Sequence, residues 1–236
     1  METKNLDVVY FVKESIVNEE LRYSLRSVEK NLAHNRVWIF GGCPVRIFPD
    51  VYVKVRQTGE TKWDKVRNMF ITACQNKELS DDFILMNDDF FVMQPTDRIE
   101  PIYRTTLDEH IEIIKRGFGG KMSPYAQLLA DCQQTLKENQ LPTLSYELHT
   151  PFIVNKKKFL KMLLQYPEAH CNRTMYGNLY KIGGTQEKDV KVFSYDTKLD
   201  YMNCQFLSTD DGICNVNNEF WMWLRSQFRQ KSEFEL

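Results

Sequence analysis

Apolar residues along this chain fall into two rhythms. Leu6 to Val12 and Phe83 to Met86 are short apolar runs with almost no polar alternation, the pattern of strands buried on both faces of a parallel sheet. Arg36 to Phe40, closed by Gly41-Gly42, and Val51 to Val55 read as two further strands. Between them the period changes to that of a helix. Over Asn18 to Asn31 the residues Leu21, Leu25, Val28 and Leu32 fall on one face, with Asn18 as N-cap. Over Thr61 to Lys77 the inward set is Trp63, Val66, Phe70 and Ala73. Strand, helix, strand, strand, helix, strand in succession predicts an α/β, Rossmann-like fold with a mainly parallel central sheet flanked by helices. Later helices are expected over Leu107 to Arg116, Tyr125 to Asn139 (inner side Ala126, Leu129, Ala130, Gln133 and Leu136), Lys157 to Leu164 and Asn218 to Phe228. A late strand is expected over Val190 to Tyr195, with Asp196 and Lys198 after it.

The strand Phe83 to Met86 ends in Asn87-Asp88-Asp89, and a second apolar run, Phe90 to Met93, follows at once. Adjacent carboxylates between buried segments repel each other and are costly to desolvate unless a cation or strong donors compensate. Hard oxygen ligands favour Mg2+ or Mn2+, shared with a phosphate-bearing substrate. The same triplet also suits a plain turn, since Asn and Asp cap their own backbone. In open α/β sheets ligands bind beyond the carboxyl ends of the strands, which places Tyr10, Val12 and Lys13 toward a nucleotide base or ribose, although Val12 reads better as core. Arg22 and Arg26 lie four apart, where two guanidiniums can grip phosphate or pair with Glu19 and Glu29. Lys65 and Asn68 are one helical turn apart and can converge on one ligand. His149 precedes Thr150-Pro151, whose extended bias keeps it at a strand rim, and Glu147 points the same way two residues earlier. A lone histidine at such a rim is more often a structural hydrogen-bonder than a catalyst, and the residues alone leave His149 there. Lys156-Lys-Lys158 reads as a solvated helix start and Asp210-Asp211 as a turn, while Gly117-Phe-Gly-Gly120 is a loop that either closes over a ligand or simply connects helices.

The segment FILMNDDFFVMQP resembles the acidic DxD region of GT-A glycosyltransferases. ELRYSLRSVEKN (Glu20 to Asn31), FILMNDDFF and HTPFIVNKKKF (His149 to Phe159), in that order, resemble the Stealth family of sugar and sugar-phosphate transferases and related bacterial and phage enzymes. The family's usual opening Trp-Val-Asp-Gly is absent, and Tyr10-Phe-Val-Lys13 stands in its place. The resemblance implies a GT-A fold and a nucleotide-sugar donor. It implies a Mn2+ or Mg2+ ion on Asp89, with Asp88 and His149 as further ligands, and Asn87 and Asp88 toward ribose or sugar. Lys65 and Asn68, in a helix similar to one in related transferases, would approach the donor, and Arg26 gains weight as a phosphate contact. Arg173, Tyr176 and Asn178 resemble a late polar block in which an arginine offsets charge on the leaving phosphate. The resemblance also lifts His149 from a structural histidine to one that holds the metal or passes protons, its charge changing near neutrality. Glu147, His149 and Arg173 are thus the expected catalytic set, with Glu147 the leading candidate for the acceptor's general base.

Length and composition narrow this only modestly. The 236 residues, 42% hydrophobic, suffice for a single glycosyltransferase-like domain over the whole chain. Thirty-one basic and 32 acidic residues give a net charge of −1, so a nucleic-acid acceptor is not favoured. Capsular glycan, cell-wall polymer and modified phage DNA are all compatible acceptors, with a saccharide or other hydroxyl preferred. A polar N-terminus, no stretch long enough to span a bilayer and six scattered cysteines lead to the expectation of a soluble, cytoplasmic protein. No Gly-x-Gly-x-x-Gly follows a strand, which disfavours a dinucleotide site. The expected function is metal-dependent transfer of a sugar from a nucleotide-sugar. The alternatives are sugar-phosphate transfer, centred on His149 and Arg173, and a non-catalytic nucleotide- or carbohydrate-binding module.

Overall fold

A computed structural model describes residues 1–194, 201–210, 212–215 and 219–236. The elements run β1 (Asp7–Val12), α1 (Glu19–Asn31), β2 (Val37–Gly41), β3 (Val51–Lys54), α2 (Lys62–Gln75), β4 (Asp82–Met86) and β5 (Phe90–Val92). There follow β6 (Ile102–Tyr103), β7 (Thr105–Thr106), α3 (Leu107–Gly117), α4 (Pro124–Glu138), β8 (Leu144–Ser145) and β9 (Phe152–Asn155). The chain continues through α5 (Lys156–Gln165), α6 (Asn172–Leu179), β10 (Thr185–Gln186), β11 (Lys191–Val192), β12 (Phe206–Thr209) and α7 (Glu219–Gln227). The expectations placed on Tyr195, Asp196, Lys198, Asp211 and Asn218 lie outside the described residues. No described helix is long and apolar enough to cross a membrane.

The chain divides into two compact units, one of residues 1–99, 149–156 and 190–236, the other of residues 100–148 and 157–189. The first is built on a five-stranded sheet of order β3-β2-β1-β4-β9, parallel except for β9. Its central strands are apolar throughout because both faces are covered. Val8, Tyr10, Val12, Val37, Ile39, Ile84 and Met86 join one buried cluster with Leu21, Leu25 and Val28 of α1. On the opposite face Phe11 meets the Phe70 ring of α2 edge-on at 4.5 Å. A smaller sheet of order β11-β12-β5 lies in the same unit.

Strand β5 is an edge strand, and α1 covers that edge. Ser24 donates to the Phe90 carbonyl, Ser27 accepts from the Val92 N–H at 2.9 Å, and Asn31 donates to the Val92 carbonyl at 2.7 Å. Polar residues spaced three and four apart on a helix thereby satisfy backbone groups that would otherwise be orphaned in the core. At the other end of β1, the fully buried Asp7 carboxylate accepts from the Ser80 N–H, the Asn35 amide and Arg36, tying two loops to the strand. Lys156, expected on a solvated helix start, is buried instead. Its ammonium donates to the carbonyls of Leu79 and Asn76 and stands 3.6 Å from Asp81.

The second unit holds α3, α4, most of α5, α6 and four two-residue strands, with β6 paired to β10 and β7 to β8. Helix α4 buries Ala126, Leu129, Cys132 and Leu136, so Cys132 takes the inner place expected of Ala130 and Gln133. Helix α6 carries the polar block of Arg173, Tyr176 and Asn178, for which the sequence predicts no element. Its Gly177 lies flat against the Tyr146 ring, where any Cβ would collide.

Candidate functional site

The sheet order reverses at β1: β2 lies on one side and β4 on the other, and both run parallel to it. A crevice opens beyond the carboxyl ends of strands at such a point. Here it is flanked by Lys13 after β1, Gly41-Gly42 ending β2 and Asn87-Asp88-Asp89 after β4. Gly41 has φ +110, and a side chain there would run into the Val12 carbonyl and Met69, so glycine is what lets β2 pass this close to the end of β1.

The acidic triplet forms a tight turn between the two sheets, closed by a 3.2 Å hydrogen bond from the Phe90 N–H to the Asn87 carbonyl. Asn87 is exposed, and Asp88 and Asp89 are half-buried. Asn18, the N-cap of α1, accepts the Leu21 N–H through Oδ1 at 2.9 Å and donates its Nδ2 to Asp88 Oδ2 at 2.6 Å. Asp88 thus lies at the positive end of a 13-residue helix dipole. Asp89 Oδ2 accepts from Ser208 Oγ at 2.8 Å and stands 3.6 Å from Lys191 Nζ. The Thr209 N–H bonds the Asp89 carbonyl at 3.3 Å, while Thr209 Oγ1 donates to Glu20 at 2.9 Å. Asn18, Lys191 and Ser208 therefore fix the turn, and only Asn18 stands out in the sequence, as a cap. A lysine inside a short apolar run, Val190 to Phe193, is the one signal that marks Lys191 as inward-turned.

Several expected ligand contacts have other partners. Tyr10 is fully buried, so it cannot meet a base or ribose; its hydroxyl pairs with Ser24 Oγ at 2.8 Å. Burial raises the Tyr10 phenol well above its ordinary range against the lowering effect of Ser24, and the nearby Asp88 charge adds to the rise. Arg26 cannot grip phosphate. Its guanidinium forks onto Glu235 at 2.6 and 2.7 Å and donates to the Phe228 carbonyl at 3.0 Å. Asn68 does not converge with Lys65, because its amide donates to the Thr58 carbonyl at 2.9 Å and pins the preceding loop. Lys65 is half-buried and Lys13 exposed, and neither forms an ion pair with a described residue.

His149 packs its ring edge-on to Phe90, 6.3 Å between centroids. Among the described residues no three His, Cys, Asp or Glu side chains gather to hold a metal, so His149 does not complete a three-ligand set with Asp88 and Asp89. Glu147 and Arg173 belong to the second unit. Glu147 Oε1 accepts the Thr174 N–H at 3.2 Å, serving as the cap of α6 that Cys171 at the N-cap position does not supply. Arg173 is buried and donates to the Leu148 carbonyl at 2.6 Å, which gives its charge a structural use in place of the expected phosphate contact.

No protein-family model matches the chain, and no curated protein does. Solved structures do resemble it. One is an active-site mutant of LgtC, at 10% identity and TM-score 0.50 over 97% of this chain and 98% of that one. Another is the galactosyltransferase LgtC in complex with donor and acceptor sugar analogues, at 11% identity and TM-score 0.49 over the same shares. The apo form of the glycosyltransferase GlyE of Streptococcus pneumoniae TIGR4 matches at 11% identity and TM-score 0.37, covering 78% of this chain and 45% of GlyE. The chain is thus a mixed α/β protein with a mainly parallel central sheet, flanking helices and the GT-A-like fold of LgtC.

Proposed function

We propose that this protein is a glycosyltransferase that moves a sugar from a nucleotide-sugar donor to a saccharide or other hydroxyl acceptor. The observation that carries the reading is the placement of Asp88 and Asp89: two half-buried carboxylates on a turn at the β1/β4 crossover of an LgtC-like fold. Described contacts engage Oδ2 of each carboxylate. Two protein carboxylates are too few to cage a cation alone. They suit Mn2+ or Mg2+, which take their remaining ligands from substrate phosphates and water. Such an ion, when bound, offsets the negative charge that builds on the departing diphosphate.

The chain's own residues have the remaining tasks. Asn18 and Ser208 orient the two carboxylates, and Lys191 lowers the local negative charge so that the pair can coexist. Lys13, exposed beyond β1, is placed to meet a donor phosphate or ribose together with Asn87. Proton removal from the acceptor falls to His149, which lies in the same unit as the acidic turn.

Thermal melts with nucleoside diphosphates, Mn2+ and the two together test this. The melting temperature is expected to rise only when both are present, as linkage requires of a shared site. Equal stabilisation by a nucleotide without metal would remove the cation from the scheme. No stabilisation by any nucleotide would remove the donor.

A further inference from the structure

Away from the acidic turn, the same unit carries a second polar recess. Tyr23 of α1 and Met222, Arg225, Ser226 and Arg229 of α7 and its end line a groove of about 350 Å3. Its floor is rigid, because the Tyr23 ring lies edge-on to Trp221 at 5.4 Å and beneath the Arg26 guanidinium at 4.7 Å. Arg225 donates its Nε to the Tyr23 hydroxyl at 3.2 Å, which leaves the far side of its fork toward the groove. Arg225 and Arg229 are one helical turn apart and exposed, and neither meets a carboxylate among the described residues. Four other cations of this unit do meet a carboxylate: Arg22 and Arg26 share Glu235, Arg36 meets Asp7 and Lys191 meets Asp89.

Two planar guanidiniums without a carboxylate, one of them fixed by the Tyr23 hydroxyl, form a receptor for an oxyanion carried on a saccharide ring. The forks accept the oxygens, and the exposed Met222 side chain meets the ring, since Tyr23 itself is buried. We propose that this groove binds an acidic saccharide, a uronate or a sugar phosphate. Resting on the transferase reading above, it supplies the class of acceptor. Tyr23 lies five residues beyond Asn18, the cap that holds Asp88, or about 8 Å along the helix axis. An oligosaccharide anchored in the groove by its anion can extend its terminal hydroxyl toward the acidic turn. A lipid surface is the less suitable occupant, since Met222 is the one strongly exposed apolar side chain among those lining the groove.

Calorimetric titration of the full chain tests this, with a galacturonate trisaccharide, a hexose phosphate, a neutral galactose trisaccharide, inorganic phosphate and phosphatidylglycerol vesicles as probes. The first two are expected to bind saturably and to weaken with salt, and Arg229→Gln, which breaks no described contact, is expected to weaken them about tenfold or more. Donor hydrolysis without acceptor is expected to be unchanged in Arg229→Gln. Equal binding of neutral and acidic saccharides, unaltered binding in the variant, or binding of inorganic phosphate or vesicles alone would each overturn the proposal. If the wild type binds acidic saccharides yet hydrolyses no nucleotide-sugar, the groove stands and the transferase reading falls. The reverse result removes the groove alone.

Discussion

Helix α1 holds carboxylates at two places, and it treats them differently. Near its middle, Arg26 and Arg22 close on Glu235, whose side chain has no exposure at all. Oε1 takes Arg26 Nε at 2.6 Å and the Ser232 N–H and hydroxyl at 3.1 Å, while Oε2 takes Arg26 Nη2 at 2.7 Å and Arg22 at 3.3 Å. At its N-terminus, the Asn18 amide and the helix dipole face Asp88, and Lys191 and Ser208 face Asp89, with both carboxylates half-open to solvent. One site is saturated by guanidinium forks and serves to fasten the C-terminal tail, with Phe234 buried in the core beside it. The other sets two adjacent carboxylates at the surface, with an ammonium 3.6 Å from one of them. A fold that encloses one carboxylate so completely leaves this other pair within reach of solvent, the accessibility that the proposed metal site requires and the fastening does not.

The sharpest way to break the comparison is to remove charge from the open pair. Asp89→Asn keeps the size of the side chain and its acceptor for Ser208, and it relieves repulsion with Asp88. Folding stability is expected to stay level or rise slightly, while metal-dependent donor turnover falls roughly a thousandfold, the scale of a lost Lewis-acid contribution. Turnover within about twofold of wild type, measured as nucleoside diphosphate release beside a thermal melt, would show that the turn is architecture only. Release of nucleoside monophosphate in place of diphosphate would instead mark transfer of a sugar phosphate.

The saturated site predicts the opposite division. Arg26→Ala leaves the buried Glu235 carboxylate to Arg22 and Ser232 alone, which costs about 3 kcal/mol of stability in urea unfolding, the lower end for a broken buried pair. Turnover per folded molecule is expected to hold. The pH dependence has a definite sign. Burial pushes the Glu235 carboxyl up, but hydrogen bonds from Arg26 and Ser232 outweigh it and hold the group below its ordinary value. A depressed folded value means that this stability is full above the unfolded carboxyl pKa of about 4.3 and is lost as pH falls through the folded one. Glu235→Gln should therefore flatten the loss of stability between about pH 5 and 3. An identical acid slope in the variant would place the titrating group elsewhere.

These two sites also mark what the sequence can and cannot disclose. Strand β1 and the cap of α1 are legible because their signals are local: an apolar run with no polar break, and an Asn before a helical stripe. The acidic turn is legible because charge placed directly after an apolar strand is conspicuous. Arg26 is misread because its partner lies 209 residues away, and nothing local distinguishes an arginine that meets phosphate from one that meets a distant glutamate. Tyr10 is misread because the last residues of a strand alternate between core and crevice, and its side chain falls on the α1 face. Strand β12 escapes because four residues, Phe206 to Thr209, lie directly before an Asp pair that reads as a turn. Helix α6 escapes because Asn172, Gly177 and Asn178 are poor helix formers, and packing of Gly177 on Tyr146 overrides their propensity.

The smallest expected effect separates the two duties of Asn18. As a cap it satisfies the Leu21 N–H, and as a donor it holds Asp88. Asn18→Ser preserves the first, since serine caps helices about as well as asparagine, and stability should change by no more than about 0.5 kcal/mol. The shorter hydroxyl, committed to the helix, cannot also reach Asp88 Oδ2, so that carboxylate loses the donor that orients it. If Asp88 works on a bound cation, losing an orienting partner should weaken Mn2+-dependent nucleotide binding by about tenfold, the lower end of what such contacts contribute. Asn18→Ala loses both duties and adds roughly 1 kcal/mol of destabilisation to the same weakening. Should Asn18→Ser bind metal and nucleotide as the wild type does while Asn18→Ala is merely less stable, the contact to Asp88 belongs with the Glu235 clasp, as part of how the chain holds itself together.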